Sequence, residues 1–272
     1  MKMGVSAGLL YKEWMQTRWT AVSFFAVTIV IGVFSYAPLY SNPRLDTVLE
    51  IQDLAGMWFI IHMFLMAFLL ISSVNQEFVH LDLWIHTKTS LFRLVGMKAV
   101  LAILVTLGSL LMCAVLTGIV YFTDSPPGSF ISIGTALYVV CGVILTLLIN
   151  AVFIMAVSFF VWSFYQMIKS TMGSRLVAYI LTALLTFGGM FFWGAIYFSE
   201  PFTRLREAWP IMSTKFGINN LTFMEYRHFI LTALMPESAF LTGGGLLLYG
   251  FFTLLLFMAA VFLLGRKVRH GR

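Results

Sequence analysis

Ile131-Ser-Ile-Gly-Thr-Ala-Leu-Tyr-Val-Val-Cys-Gly-Val-Ile-Leu-Thr-Leu-Leu-Ile-Asn-Ala-Val-Phe-Ile-Met-Ala-Val-Ser-Phe-Phe-Val-Trp-Ser-Phe164 is a stretch of 34 residues without an Asp, Glu, Lys or Arg. A helix rising about 1.5 Å per residue needs roughly 20 apolar residues to cross the hydrocarbon core of a bilayer, and this stretch exceeds that length. Five more charge-free runs surround it: Trp19 to Tyr40, Met57 to Val74, Ala99 to Phe122, Leu176 to Phe198 and Ala239 to Leu264, of 22, 18, 24, 23 and 26 residues. The six runs take up 147 of the 272 residues and hold none of the 28 charged side chains. Apolar residues make up 60% of the chain, charged residues 10%, and the mean hydropathy is +0.94. A soluble chain of this size could not cover its surface with so few charges. Lipid offers nothing to unpaired peptide groups, and the sequence lacks the short alternating segments of a barrel. The expected fold is therefore an all-α polytopic membrane protein with six transmembrane helices, in one domain covering 1–272.

The loops set the expected orientation. Residues 1–18, 75–98, 165–175 and 265–272 carry 12 positive and 3 negative charges, whereas 41–56, 123–130 and 199–238 carry 5 positive and 8 negative. The positive-inside rule places the first set, and with it both termini, in the cytoplasm. The net charge of +6 thus divides into +9 inside and −3 outside, a membrane signature and not a nucleic-acid footprint. The first 18 residues are polar or amphipathic, and the first run is long enough to remain as a span, so no cleaved secretory signal is expected.

Little in the chain suggests chemistry of its own. Gly4-Val5-Ser6-Ala7-Gly8 spells G-x-S-x-G, but a nucleophile elbow needs a strand before it and a helix after it in an α/β sheet. His62 has no evident nucleophile partner in the sequence, and His80 and His86 lack metal-pair spacing. Cys113 and Cys141 read as small buried hydrophobes more readily than as a pair. The runs contain no carboxylate for ion coupling. Asn150, well inside the fourth run, reads first as a hydrogen-bonding residue between helices and second as a pathway residue.

Two inner segments have patterns of their own. Ala7, Leu10, Tyr11 and Trp14 share a helical face with Lys12 and Glu13 off it, which predicts an interfacial amphipathic helix over 1–18 anchored by Trp14 and Trp19. The inner loop 75–98 is too apolar for a free linker: Phe78, Leu81 and Ile85 share a face, and Thr89 or Ser90 is placed to cap the helix entering span three. Such a loop must bury its apolar face against lipid, the bundle or another protein. On the outer side, 199–238 is read as a re-entrant or cap segment, with Phe223, Tyr226, Ile230 and Leu234 at helical spacing.

With Lys12-Glu13 and Arg18 before the first span, and Glu77, Leu83-Trp84, Thr87, Ser90, Leu94 and Lys98 in the inner loop, the chain resembles the membrane permeases of the second type of ABC exporter. The frequent Pro of that family near the loop turn is replaced by His86-Thr87-Lys88-Thr89. The resemblance implies six spans, an interfacial helix before the first, and a coupling helix in the loop. It also implies a cytoplasmic ABC ATPase subunit, a second permease subunit, and a bacterial cytoplasmic membrane. Glu77, Asp82, Leu83, Trp84 and Lys88 are the residues it places against the ATPase. No G-x-x-x-x-G-K-[ST] loop occurs, so ATP and Mg would sit on the partner, with no cofactor on this chain. The abundant Phe and Met suit a hydrophobic or amphipathic cargo such as a drug, peptide or lipid. A non-transporting scaffold or sensor subunit is the alternative, and an intramembrane enzyme is a third.

Overall fold

The computed structural model describes residues 5–41, 45–78, 90–124, 133–213 and 239–270. Among these residues seven helices run in the order α1 Val5–Ser41, α2 Leu45–Phe78, α3 Leu91–Asp124, α4 Ile133–Met172, α5 Arg175–Tyr197, α6 Glu200–Glu207 and α7 Gly243–His270. A two-stranded antiparallel sheet, β1 Pro210–Ser213 and β2 Ala239–Thr242, lies between α6 and α7. Among the described residues, α1, α3, α4, α5 and α7 each contain a segment long and apolar enough to cross a membrane. The described apolar part of α2 is Ile61–Glu77. The chain is an all-α membrane protein in its architecture, and every charge-free run falls on a helix, apart from a few residues at run ends.

Contacts between helices give their directions. Lys98, Gly108 and Leu116 of α3 meet Glu13, Phe25 and Gly32 of α1, so these two helices are parallel. His62 and Ser73 of α2 meet Ser109 and Lys98, so α2 is antiparallel to α3. Phe153 and Tyr165 of α4 face Trp193 and Tyr179 of antiparallel α5, while Phe153 and Phe159 face Tyr249 and Phe257 of parallel α7. The first residues of α3 and the last turns of α7 therefore meet at one end, where Gly265 approaches Leu91. The α5–α6 junction and the sheet lie at the other. The core is built on α2, α3 and α4, with Met66, Leu70, Val95, Leu147 and Phe159 fully enclosed.

Three sequence expectations change. The amphipathic helix over 1–18 is not a separate element, because α1 runs unbroken for 37 residues. Its buried stripe is Glu13, Thr17, Ala21 and Thr28, while Tyr11 and Trp14 face outward. Partners on α2 and α3 draw Glu13 inward, and that aligns the first turns with the bundle. The last run begins as strand: 239–242 pairs with β1, and the helix starts at Gly243. The segment after Ser199 opens with α6, an element not predicted. The stripe Phe223 to Leu234 lies outside the described residues.

Local chemistry explains the ends. Ser90 caps α3, its Oγ accepting from Arg93 N at 3.3 Å, in agreement with the expected cap. Ser174 caps α5 through Val177 N at 3.4 Å, and Gly173 at φ 67° makes the turn from α4. Within the helices, Thr17, Ser23, Thr28, Thr146 and Thr186 each donate to the carbonyl four residues earlier, which satisfies their hydroxyls where lipid cannot.

Candidate functional site: a buried ion cluster beside the 79–89 segment

Lys98 is fully enclosed, and Glu13 is 1% exposed. An unpaired ammonium in such a place would cost several kcal/mol, so the surroundings must answer it. They do so completely. The Lys98 Nζ has three protons to give, and three side-chain groups receive them: Glu13 Oε2 at 2.5 Å, Ser73 Oγ at 2.9 Å and Glu77 Oε2 at 3.2 Å. Ser73 passes its own proton to Glu13 Oε2 at 3.1 Å. The other oxygen of Glu77 takes Lys12 Nζ at 2.5 Å, and Lys12 is half exposed. The charges alternate Lys12, Glu77, Lys98, Glu13 and sum to zero.

The cluster joins three helices, with Lys12 and Glu13 from α1, Ser73 and Glu77 from the last turns of α2, and Lys98 from the third turn of α3. Residues 79–89 connect α2 to α3, so the cluster lies at the root of that segment. Burial works to raise the Glu77 pKa. The hydrogen bond from Lys12 and the charges of Lys98 and Lys12 outweigh it, holding the carboxyl below its ordinary value of 4.5. Glu77 lies beyond the apolar run that ends at Val74.

Of the residues expected to meet a partner ATPase, Glu77 is in this cluster, with basic groups of its own chain around it. Asp82, Leu83, Trp84 and Lys88 lie outside the described residues, as do His80 and His86. Asn150 is buried in α4, and its Nδ2 donates to Thr146 O of the same helix at 2.9 Å. Lys98 and Glu13 were legible only as loop residues, since neither the alternation of charge nor the shared end of three helices can be read from positions 85 apart.

A second polar contact corrects the reading of His62 as lacking a nucleophile neighbour. Antiparallel packing of α2 on α3 brings its Nε2 to 2.8 Å from Ser109 Oγ and 3.6 Å from Cys113 Sγ. Phe24 of α1 meets the ring edge-on at 5.3 Å. His62 and Ser109 are both sealed from the surface. The His62–Ser109 hydrogen bond ties the two helices about 16 Å along from Lys98, counting 11 residues of helix. Cys113 is buried beside His62 and Cys141 is exposed, so only the first is the buried residue expected, and the two are not joined in a disulfide. Ser6 of the G-x-S-x-G string sits in the first turn of α1, which provides no strand-to-helix elbow. No described group of three or more His, Cys, Asp or Glu is placed to hold a metal ion.

No protein-family model matches the chain, nor does any curated protein or any solved structure.

Proposed function

We propose that the chain is the membrane-spanning permease subunit of an ATP-driven exporter of the second ABC type. In this reading it has six spans with both termini in the cytoplasm, works with a second permease subunit and a separate ATPase, and carries a hydrophobic or amphipathic cargo across a cytoplasmic membrane. The observation that carries the reading is the ion cluster. A power stroke delivered to residues 79–89 must reach the bundle, and Glu77 and Lys98 bracket that segment while holding α1 through Glu13 and Lys12. Movement of the segment is then movement of three helices together.

The same cluster sharpens the partner surface. Three acids lie on this side of the chain, Glu13, Glu77 and Asp82, and the first two are engaged with Lys98 and Lys12. In this reading Asp82 meets basic groups on the ATPase, with Leu83 and Trp84 filling an apolar groove there. The variant combining Trp84→Ala with Asp82→Arg should insert normally, lose co-purification with an ABC-class ATPase, and lose ATP-dependent transport in proteoliposomes. ATP-dependent transport at the wild-type rate would overturn the assignment of the loop. A wild-type chain that captures no ATPase would favour the scaffold or sensor reading.

A further inference from the structure

At the end of the bundle opposite the ion cluster, α6 carries two arginines with different surroundings. Arg204 is exposed and paired with Glu200 one turn earlier at 2.5 Å. Arg206 points the other way, its side chain only 12% exposed. Its guanidinium carbon lies 4.4 Å from the Tyr197 ring centroid, a cation–π contact that covers one face. Among the described residues the nearest carboxylate oxygen, on Glu207, is 3.8 Å away, beyond hydrogen-bond reach. Nε and Nη1 are buried and donate to nothing among the described residues. Buried guanidinium donors are normally all satisfied, so this one is short of an acceptor.

The surroundings limit what that acceptor is. Tyr197 and Phe202 pack with Trp193, which also meets Tyr249 and Phe252 of α7, so the charge sits over an aromatic floor. Beside this floor lie two outward apolar surfaces: Phe191 on α5 with Phe198 just past its end, and Leu247 and Phe251 on α7, all more than half exposed. An arginine at the end of the spans, ringed by Trp and Tyr and continued by exposed Phe and Leu, matches an amphiphile with an anionic head and hydrocarbon tails. A soluble anion would use the arginine and leave the apolar surfaces idle.

We infer that Arg206 binds the phosphodiester of an anionic phospholipid from the leaflet at the α6 end. The headgroup oxygens accept from the guanidinium fork, and the acyl chains lie along the outward faces of α5 and α7. Nε and Nη1 are the buried, unbonded nitrogens, so the phosphate reaches the guanidinium from its Nη2 edge, on the side of Glu207. The inference goes beyond the permease reading and does not need it, because the site stands whether or not an ATPase binds at the other end.

The test uses the full chain in phosphatidylcholine nanodiscs doped with phosphatidylglycerol, read by native mass spectrometry of retained lipid. Wild type should retain phosphatidylglycerol over phosphatidylcholine, Arg206→Gln should lower that preference about tenfold, and Arg204→Gln should leave it unchanged. Arg206→Lys should restore part of it. In the wild type alone, phosphatidylglycerol brominated in its acyl chains should quench the Trp193 component, defined by difference from Trp193→Phe, more than brominated phosphatidylcholine does. An Arg206→Gln chain with wild-type preference would overturn the inference. So would equal quenching by the two lipids, or displacement of phosphatidylglycerol by inorganic phosphate.

Discussion

Lys98 is the residue on which the end of the molecule beside the 79–89 segment turns, and its energetics follow from its burial. Removing one member of a buried ion pair leaves the other uncompensated, at about 3–5 kcal/mol. Lys98→Met should therefore destabilise the purified protein by about that much in thermal or denaturant unfolding in detergent. The double variant with Glu13→Gln should recover part of the loss, since the stranded carboxylate is gone. Simple additivity of the two changes would argue against their coupling. Glu77 predicts a pH dependence of definite sign. Its folded pKa lies below 4.5, so its contribution is present above that value and lost as the pH falls through the lowered one. Wild-type stability should show this acid limb, and Glu77→Gln, lower in stability near neutrality, should flatten it. Little of this was visible in the sequence: Lys12, Glu13, Glu77 and Lys98 were all noticed, but as separate loop charges. His62 was noticed as a lone histidine because Ser109 is 47 residues away and only helix packing brings it near.

At the scale of elements, the most constrained junction is where α6 and β1 return to α7. Gly243 N donates to Trp209 O at 2.8 Å and Gly244 N to Ala208 O at 3.1 Å, so the first turn of α7 caps the end of α6 with its free N–H groups. A Cβ on Gly244 would lie 1.7 Å from Leu205 O, a backbone atom that cannot step aside. Gly244→Ala should cost more than the ~1–3 kcal/mol usual for overpacking. Gly250→Ala, with open space around it in the same helix, should be neutral or slightly stabilising. Unfolding of the two variants side by side checks the contrast, and equal losses would show that helix propensity and not this contact dominates. The signals for α6 were in the sequence: Pro201 in the first turn beside Glu200, with Arg204 and Arg206 in the last turn, is a dipole-matched helix, although the Ser199 hydroxyl before it donates to Ile196 O and does not cap it. Its length of eight residues and its setting in a Pro-containing segment masked it. The long spans were legible because lipid demands length and apolarity in one continuous run, and each met its helix within a few residues.

The whole molecule is a bundle with a polar lock at one end and an aromatic floor at the other. The cluster is electrically neutral, so the charge bias used for orientation survives it: without those four residues the first side keeps 10 positive charges and 1 negative. That bias predicts that, once Cys113 and Cys141 are replaced by Ser, an impermeant maleimide added to intact cells labels Glu200→Cys and spares Arg175→Cys. The reverse pattern would invert the topology and place the 79–89 segment outside, away from any cytoplasmic ATPase. Composition and periodicity determined that this chain is helical, where its membrane runs lie and which way the charge bias points. These depend on the solvent a segment meets, and each residue meets that solvent by itself. Tertiary structure alone decided which face of α1 turns inward, that Lys98 is matched by Glu13, Glu77 and Ser73, that His62 has Ser109, and that Arg206 is short of an acceptor. In lipid an apolar face suits the bilayer and the bundle equally well. The inward face is therefore chosen by the few polar groups that must find one another, and their partners lie on other helices.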